Sequence, residues 1–307
     1  MSTTVRVQAP AGRPAARPGR PYRRRAAPYL LVAPASAFIL FFTAFTLIYT
    51  VGASFTNWDL SRPQTSFIGW DNYRRALADE RVRDSLIKSG FFVTGVVVLS
   101  VLFGFLIAVL LNNRFRGRTL IRVIVVVPWV LSEIATGVVA RILLNGNGVI
   151  ASALEQLGID FDPLSSKSGA MVTLILVETW RSIGLVTVIA LAGLQAIPPV
   201  IYEAARMDGA RSVRTIWNIT LPLVRPTLLI AAILLAISNF NLVTIIFAVT
   251  DGGPLEATQT SAFYMYKQSF EYYALGYGST IAVIMSVINV VAIVCFVLAQ
   301  RERGVRR

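Results

Sequence analysis

The sequence predicts an all-α membrane protein with six transmembrane helices. Three observations carry that expectation. Hydrophobic residues make up 55% of 307 positions and charged residues only 15%, against about 25% charged in a soluble domain. Six stretches are long and apolar enough to span, at about 29–54, 90–111, 123–144, 169–197, 227–249 and 275–299; a span needs roughly 20 residues. Finally, arginine is enriched in every second inter-span segment.

Residues 1–26 hold seven arginines, several prolines and no acid. That composition cannot build a core and is expected to form a disordered basic tail. The 29–54 run follows with 26 residues. A basic region before an apolar one also fits a signal peptide, but the run exceeds a signal peptide's apolar core and matches a full span. It is expected to be retained.

Orientation follows from where the arginines fall. The 112–122 segment has Arg114, Arg116, Arg118 and Arg122 with no acid; 198–226 has Arg206, Arg211, Arg214 and Arg225; the end has Arg301, Arg303, Arg306 and Arg307. The alternate segments, 145–167 and 250–274, each carry three acids against one lysine, and 55–87 is balanced at five and five. Positive residues mark the cytoplasmic side, so both termini are expected inside. The expected organisation is a tail (1–26), a first span with an external segment (27–87), a five-helix core (88–300) and a C-terminal tail (301–307). Within 55–87 a short helix is expected over residues 70–78, begun near Asp71. Asn145 to Gly148 and Asp251 to Pro254 are expected turns, from their Gly and Pro content.

Composition also excludes functions. The net charge of +13 sits in short blocks between apolar runs, not on one soluble basic face as nucleic-acid binding requires. No nucleic-acid partner is expected; membrane lipid is. The chain has no histidine, which removes His-based catalysis and metal ligation. Cys295, the one cysteine, lies in an apolar run and is expected to pack. No cofactor or metal is expected.

The loop 198–226 is the most informative segment. Pro198 and Pro199 favour a helix start. Ala204, Ala205 and Gly209 supply small side chains that let another backbone come close, with Glu203, Asp208, Arg211 and Arg214 around them. Composition leaves two readings open: a helix that docks in a groove of another protein, or a linker resting on lipid headgroups. The spacing adds to this. Glu203-Ala204-Ala205, three residues, Gly209, nine residues, Ile219, one residue, Leu221-Pro222 resembles the signature loop of ABC importer permeases. Asp208 and Ala210 are common in its sugar branch.

The resemblance extends to residues 67–73, to Val127-Pro128-Trp129, Glu178-Thr179-Trp180 and the 250–254 turn, which are similar to the maltose-type F subunit of sugar permeases. It covers nearly the whole chain beyond residue 26. The maltose protein's extra N-terminal spans and large external domain have no counterpart here. The resemblance implies a type I ABC importer permease fold whose 203–222 loop docks on an ATPase subunit. It also implies a second homologous permease subunit, two ATP-binding subunits, an external sugar-binding protein and a sugar substrate. No Gly-x-x-x-x-Gly-Lys-Ser/Thr loop is present, so ATP hydrolysis must come from separate subunits and the chain is not expected to be an enzyme.

Charges inside a span are costly and functional by default. Glu178 and Arg181, three apart in the fourth span, share a helix face and can form a structural ion pair, contact sugar hydroxyls, or both. By the resemblance, positions Glu178, Arg181, Ser182 and Leu185 line the sugar site, with residue types that imply a different sugar from maltose. The fifth span holds Ser238, Asn239, Asn241 and Thr244, which can bind hydroxyl groups or bridge helices. Ser238 and Asn241 are the candidates by family position. Glu133 is expected mid-way in the third span, facing protein or a water-filled cavity, and Arg141 near its outer end. Tyr264, Tyr266, Phe270, Tyr272, Tyr273 and Tyr277 read first as an interfacial belt, and second as contacts to a sugar-binding partner.

The function expected is import of a di- or oligosaccharide across the cytoplasmic membrane, with a glycerol phosphate ester as the alternative substrate. An ion-coupled secondary transporter is the rival from another class; such proteins often show internal repeats, and none is visible here. A membrane-embedded enzyme would need catalytic groups that the chain does not place at useful spacing.

Overall fold

The computed structural model describes residues 27–304 except Pro63, Arg114, residues 159–161 and Gly209. Two compact units divide the chain, residues 1–48 and 49–307. In the first, the described residues form most of helix α1 (Ala27–Ser54), apolar all round with a mean hydropathy of 1.9 over its spanning window. Along it Phe38 and Phe42, one turn apart, hold their rings 4.5 Å apart.

The second unit is a helical bundle. After the end of α1 come α2 (Asp71–Ala78), α3 (Glu80–Asn112), α4 (Arg118–Val130), α5 (Glu133–Leu144), α6 (Val149–Glu155) and α7 (Lys167–Gln195). Then follow α8 (Pro199–Met207), α9 (Ser212–Thr215), a π-helical turn (Ile216–Thr220), α10 (Leu221–Phe240), α11 (Thr244–Val249) and α12 (Ser261–Tyr266). A second π-helical turn (Lys267–Glu271) leads to α13 (Leu275–Gly304). Among the described residues the only β pairing is one isolated bridge, Thr56 to Phe67. Among the described residues six helical stretches are long and apolar enough to cross a membrane, the number expected from sequence. The short helix expected at 70–78 is α2.

The bundle is organised around α7. On α3 the buried residues Phe92, Val96, Ser100, Gly104, Ala108 and Leu111 recur at intervals of four and three, which aligns them on one face. That face meets α7. A methyl built on Gly104 would stand 2.7 Å from Val186 Cβ and 3.3 Å from the Thr187 amide nitrogen. Small residues of this kind let membrane helices approach closely, where dispersion replaces the missing hydrophobic drive. Gly184 does the same for α4: a methyl there would meet the Val125 carbonyl oxygen at 2.7 Å. Toward the α8 end Leu191 and Leu194 of α7 pack with Val224 and Leu228 of α10. Toward the α2 end Leu174 and Ile175 pack with Ile245 and Ile246 of α11.

Two expected spans are broken. The 123–144 run is not one helix: Leu131 and Ser132 are extended, at ψ 150° and 133°, between α4 and α5. Pro128 sits in the last turn of α4 and cannot donate the amide that would continue the ladder. Glu133 is therefore the first residue of α5 rather than the middle of a span, and its charge lies at the positive end of that helix. The 227–249 run breaks likewise at Asn241 to Val243. It also begins earlier than expected, because the helical path from Ser212 runs through the π turn into α10. The turn widens just before Pro222, where the Leu221 amide bonds to Ile216 oxygen, and this relieves the clash of a proline ring with the preceding turn.

At the α2 end, Asp79 joins three elements. It caps α3 by accepting the Arg81 amide at 2.9 Å, and its Oδ2 accepts the hydroxyls of Tyr264 at 2.9 Å and Tyr277 at 2.7 Å. Both tyrosines are buried, so neither belongs to the interfacial belt or to a partner surface, where sequence had placed them; Phe270, Tyr272 and Tyr273 are the exposed members. Burial raises the Asp79 carboxyl, but the donors from Tyr277, the Arg81 amide and Tyr264 outweigh it and hold the group below its ordinary range. Tyr264 is pushed up to about 12 by burial and by the Asp79 carboxylate.

Asp79→Ala leaves two buried hydroxyls without an acceptor, each worth about 1–3 kcal/mol, and should lower the melting temperature in detergent clearly more than the Tyr264→Phe/Tyr277→Phe pair does. Because the folded Asp79 value is lowered, its contribution is fully present above pH ~4 and lost as pH falls through the folded value. Melting curves of the wild type, but not of Asp79→Ala, should show this acid limb.

Candidate functional site

The polar groups of α7 form one cluster. Glu178 is fully buried. Arg181 lies one turn on, and its Nε and Nη2 donate to Glu178 Oε2 and Oε1 at 2.9 and 2.8 Å. Ser182 Oγ donates to the same Oε1 at 2.9 Å. A carboxylate accepting three donors, two of them charged, is the strong form of a buried hydrogen bond. The cluster also draws in Glu133 from α5, whose Oε1 stands 3.2 Å from Arg181 Nη2. The helix break at Leu131 and Ser132 puts it there. The Glu133 side chain is 34% exposed against 14% for Arg181, so the cluster is open on the Glu133 side and closed on the Glu178 side.

The other candidates lie apart. Leu185 is half-buried and packs on the Val186, Ala231 and Leu235 core. Ser238 and Asn241 are exposed on the α10 side of the break. Asn241 Nδ2 donates to Ile237 oxygen at 2.8 Å, and its Oδ1 lies 3.4 Å from Asn289 Nδ2 on α13. Asn239 points the other way, into the bundle, with its amide nitrogen on Leu235 oxygen at 2.9 Å. The sequence singled out Glu178 with Arg181 and Ser182, and the structure brings those three together. Asn289 was missed. Its signal was available: it is the one amide in the charge-free run 275–299.

The loop candidates occupy the far end of the bundle. Pro199 takes the first turn of α8, where a missing N–H costs nothing. Ala205 is buried, while Glu203, Ala204, Arg206, Met207, Asp208 and Arg211 are exposed. Of the adjacent alanines one is therefore covered and the other leaves the exposed face of α8 low. The Asp208 and Ala210 amides close onto Ala204 and Ala205 oxygens, each at 3.0 Å. Gly209 lies outside the described residues. Ile219 is half-buried in the π turn, Leu221 packs on the α3–α7–α10 core, and Pro222 is exposed.

Removing one member of the buried pair should be expensive. Arg181→Ala strands Glu178 without its cation, a change of about 3–5 kcal/mol, and should sharply reduce the yield of folded protein. Arg181→Ala/Glu178→Leu should recover most of that loss. Glu133→Gln, at the open side, should leave the melting temperature within a few degrees of wild type.

Residues 100–304 match the family described as the binding-protein-dependent transport system inner membrane component. A probable ABC transporter permease protein, YesP, of Bacillus subtilis is 34% identical over 82% of this chain and 84% of its own. The trehalose/maltose transport system permease protein MalF of Thermococcus litoralis is 32% identical over 79% and 81%. The sn-glycerol-3-phosphate transport system permease protein UgpA of Agrobacterium fabrum is 31% identical over 78% and 83%. Among solved structures, a chain of a bacterial alginate ABC transporter, in complex with an alginate pentasaccharide-bound periplasmic protein, superposes with a TM-score of 0.75. It does so at 19% identity, over 91% of this chain and 96% of that one. Such permeases are multi-pass transport subunits of the cytoplasmic membrane, not enzymes, and work with a binding protein and ATPase subunits. This chain, with six apolar helices and the family's match over residues 100–304, belongs to the binding-protein-dependent transport system inner membrane components.

Proposed function

We propose that this chain is the permease subunit of an ATP-driven importer for a di- or oligosaccharide, and that α8 is where ATPase motion enters it. The family and its sugar-transporting relatives support the substrate class. The observation that carries the coupling role is the position of the Glu203-Ala204-Ala205 segment: it stands on an exposed helix whose chain leads, within a few residues, into the continuous run Ser212–Phe240. That run is about 43 Å long at 1.5 Å per residue. It ends beside Asn241, so a displacement at α8 has a stiff path to the polar groups at the other break.

In this reading the α8 end faces the cytoplasm and the α2 end faces out, as the arginine distribution favours. Two ATPase subunits, one under this chain and one under a second homologous permease, complete the inner side; the sugar-loaded binding protein lands on the outer. ATP binding draws the motors together, moves α8, and opens the path outward; hydrolysis returns it. Along the path Ser238, Asn241 and Asn289 offer amide and hydroxyl groups that both donate and accept, as sugar hydroxyls require; on α7 Glu178, Arg181 and Ser182, with Leu185 one turn on and Glu133 of α5 joined to Arg181, form a charged wall of the same path.

In proteoliposomes holding the whole importer and its binding protein, Gly209→Asp and Glu203→Lys should lower ATP-dependent sugar uptake about tenfold or more, the scale of a lost coupling energy. Both should weaken co-purification of the ATPase subunits. The test sugar comes from a thermal-shift screen of the binding protein. Unchanged uptake with unchanged ATPase association would sink the coupling role of α8.

A further inference from the structure

Resting on the reading of the α5–α7 cluster as part of the transport path, we propose that Glu133 is a specificity-determining residue whose charge makes that path select neutral, hydroxyl-rich solutes and reject phosphate esters. Relatives of this chain include both a trehalose/maltose permease and a glycerol-phosphate permease, so family membership does not choose between them. The charge balance at the cluster does.

Arg181 is the cation that a phosphate ester would need. Its Nε and Nη2 are committed to Glu178, and Nη2 also faces Glu133. Glu178 accepts all three of its donors through both oxygens, the pattern of an ionised carboxylate. Two carboxylates against one guanidinium leave the cluster one negative charge. That charge is presented on its open side, because Glu133 is the more exposed member. The next charge along α5 is Arg141, eight residues on, or about 12 Å by helix rise, and it lines a separate cavity with Asn145, Asp162 and Ser165. It does not neutralise the site. A dianionic phosphate approaching Glu133 meets a like charge at reduced dielectric, whereas a sugar hydroxyl finds an acceptor. The placement depends on the break between α4 and α5: a continuous helix would have no extended Leu131-Ser132 step to bring the Glu133 carboxylate to Arg181.

The local charge can be read without knowing the solute. Ser132 is exposed, makes no capping bond and precedes Glu133. Ser132→Cys, in a Cys295→Ser background, provides a thiol in the intact importer for two methanethiosulfonate reagents of similar size, one cationic and one anionic. The cationic reagent should be favoured about tenfold or more beyond the ratio measured on free cysteine, since a unit charge a few ångströms away has that effect on oppositely charged reagents even with full water screening, and a larger one at reduced dielectric. Glu133→Gln should erase the bias and Glu133→Asp should keep it. Labelling should also change between the resting and vanadate-trapped importer. A ratio equal to that of free cysteine, or one favouring the anion, would overturn the charge selection. A thiol unreactive in every state would overturn it as well. Unbiased labelling that does follow the nucleotide state would overturn the selection while leaving the path in place; biased labelling indifferent to nucleotide would overturn the path, and the selection with it. The bias within Ser132→Cys alone decides the matter if Glu133→Gln fails to assemble.

Discussion

Hydrocarbon offers no partner for a backbone amide or carbonyl, and the rest of this structure follows from that constraint. In an all-α chain a span must be a helix, and a helix may break only where protein or water takes over the freed groups. Here the breaks fall at Leu131-Ser132 and at Asn241 to Val243. The half-helices beyond them, α5 and α11, pack on one another, so closely that a methyl on Gly137 would overlap the Ala248 side chain. Each break ends beside polar side chains: Glu133 at one, Asn241 at the other. The irregular backbone and the polar groups therefore occur together, and neither would be tolerated against lipid alone.

The Glu178–Arg181 pair obeys the same constraint. A buried carboxylate is tolerated only with its donors in place, and α7 supplies all three from its own next turn. Because the pair is local to one helix, it can form before the bundle closes. Glu133 is different. It reaches Arg181 only once α4 and α5 have settled against α7, which Gly184 allows by admitting the α4 backbone. The charge that this adds is a product of tertiary packing.

At the opposite end of the molecule, α8 combines attachment and exposure. Ala205 is buried and Ile201 and Tyr202 are half-buried, Tyr202 Oη lying 3.5 Å from Thr220 Oγ1, while Glu203, Arg206, Met207 and Asp208 face outward. The π turn ahead of Pro222 keeps the helical path unbroken into α10. In the proposed coupling role, this helical run from Ser212 to the break at Asn241 carries onward the motion received at α8.

Much of this was legible in the sequence. Composition and run length determined six apolar helices, because only segment length and polarity decide whether a helix can span. The spacing of Glu203 to Pro222 carried the resemblance to the permease signature loop, and the interval between Glu178 and Arg181 placed those two on one face, which depends on helical periodicity alone. The tertiary structure decided the rest. It broke the third and fifth spans where hydropathy ran on unbroken, since an apolar run does not reveal which of its backbone bonds will be satisfied elsewhere. It took Tyr264 and Tyr277 out of the belt and gave them to Asp79, 185 and 198 residues away in sequence. It brought Glu133 to Arg181 and Asn289 beside Asn241. These are contacts between distant segments, set by how helices close on one another, and no periodicity within a segment encodes them.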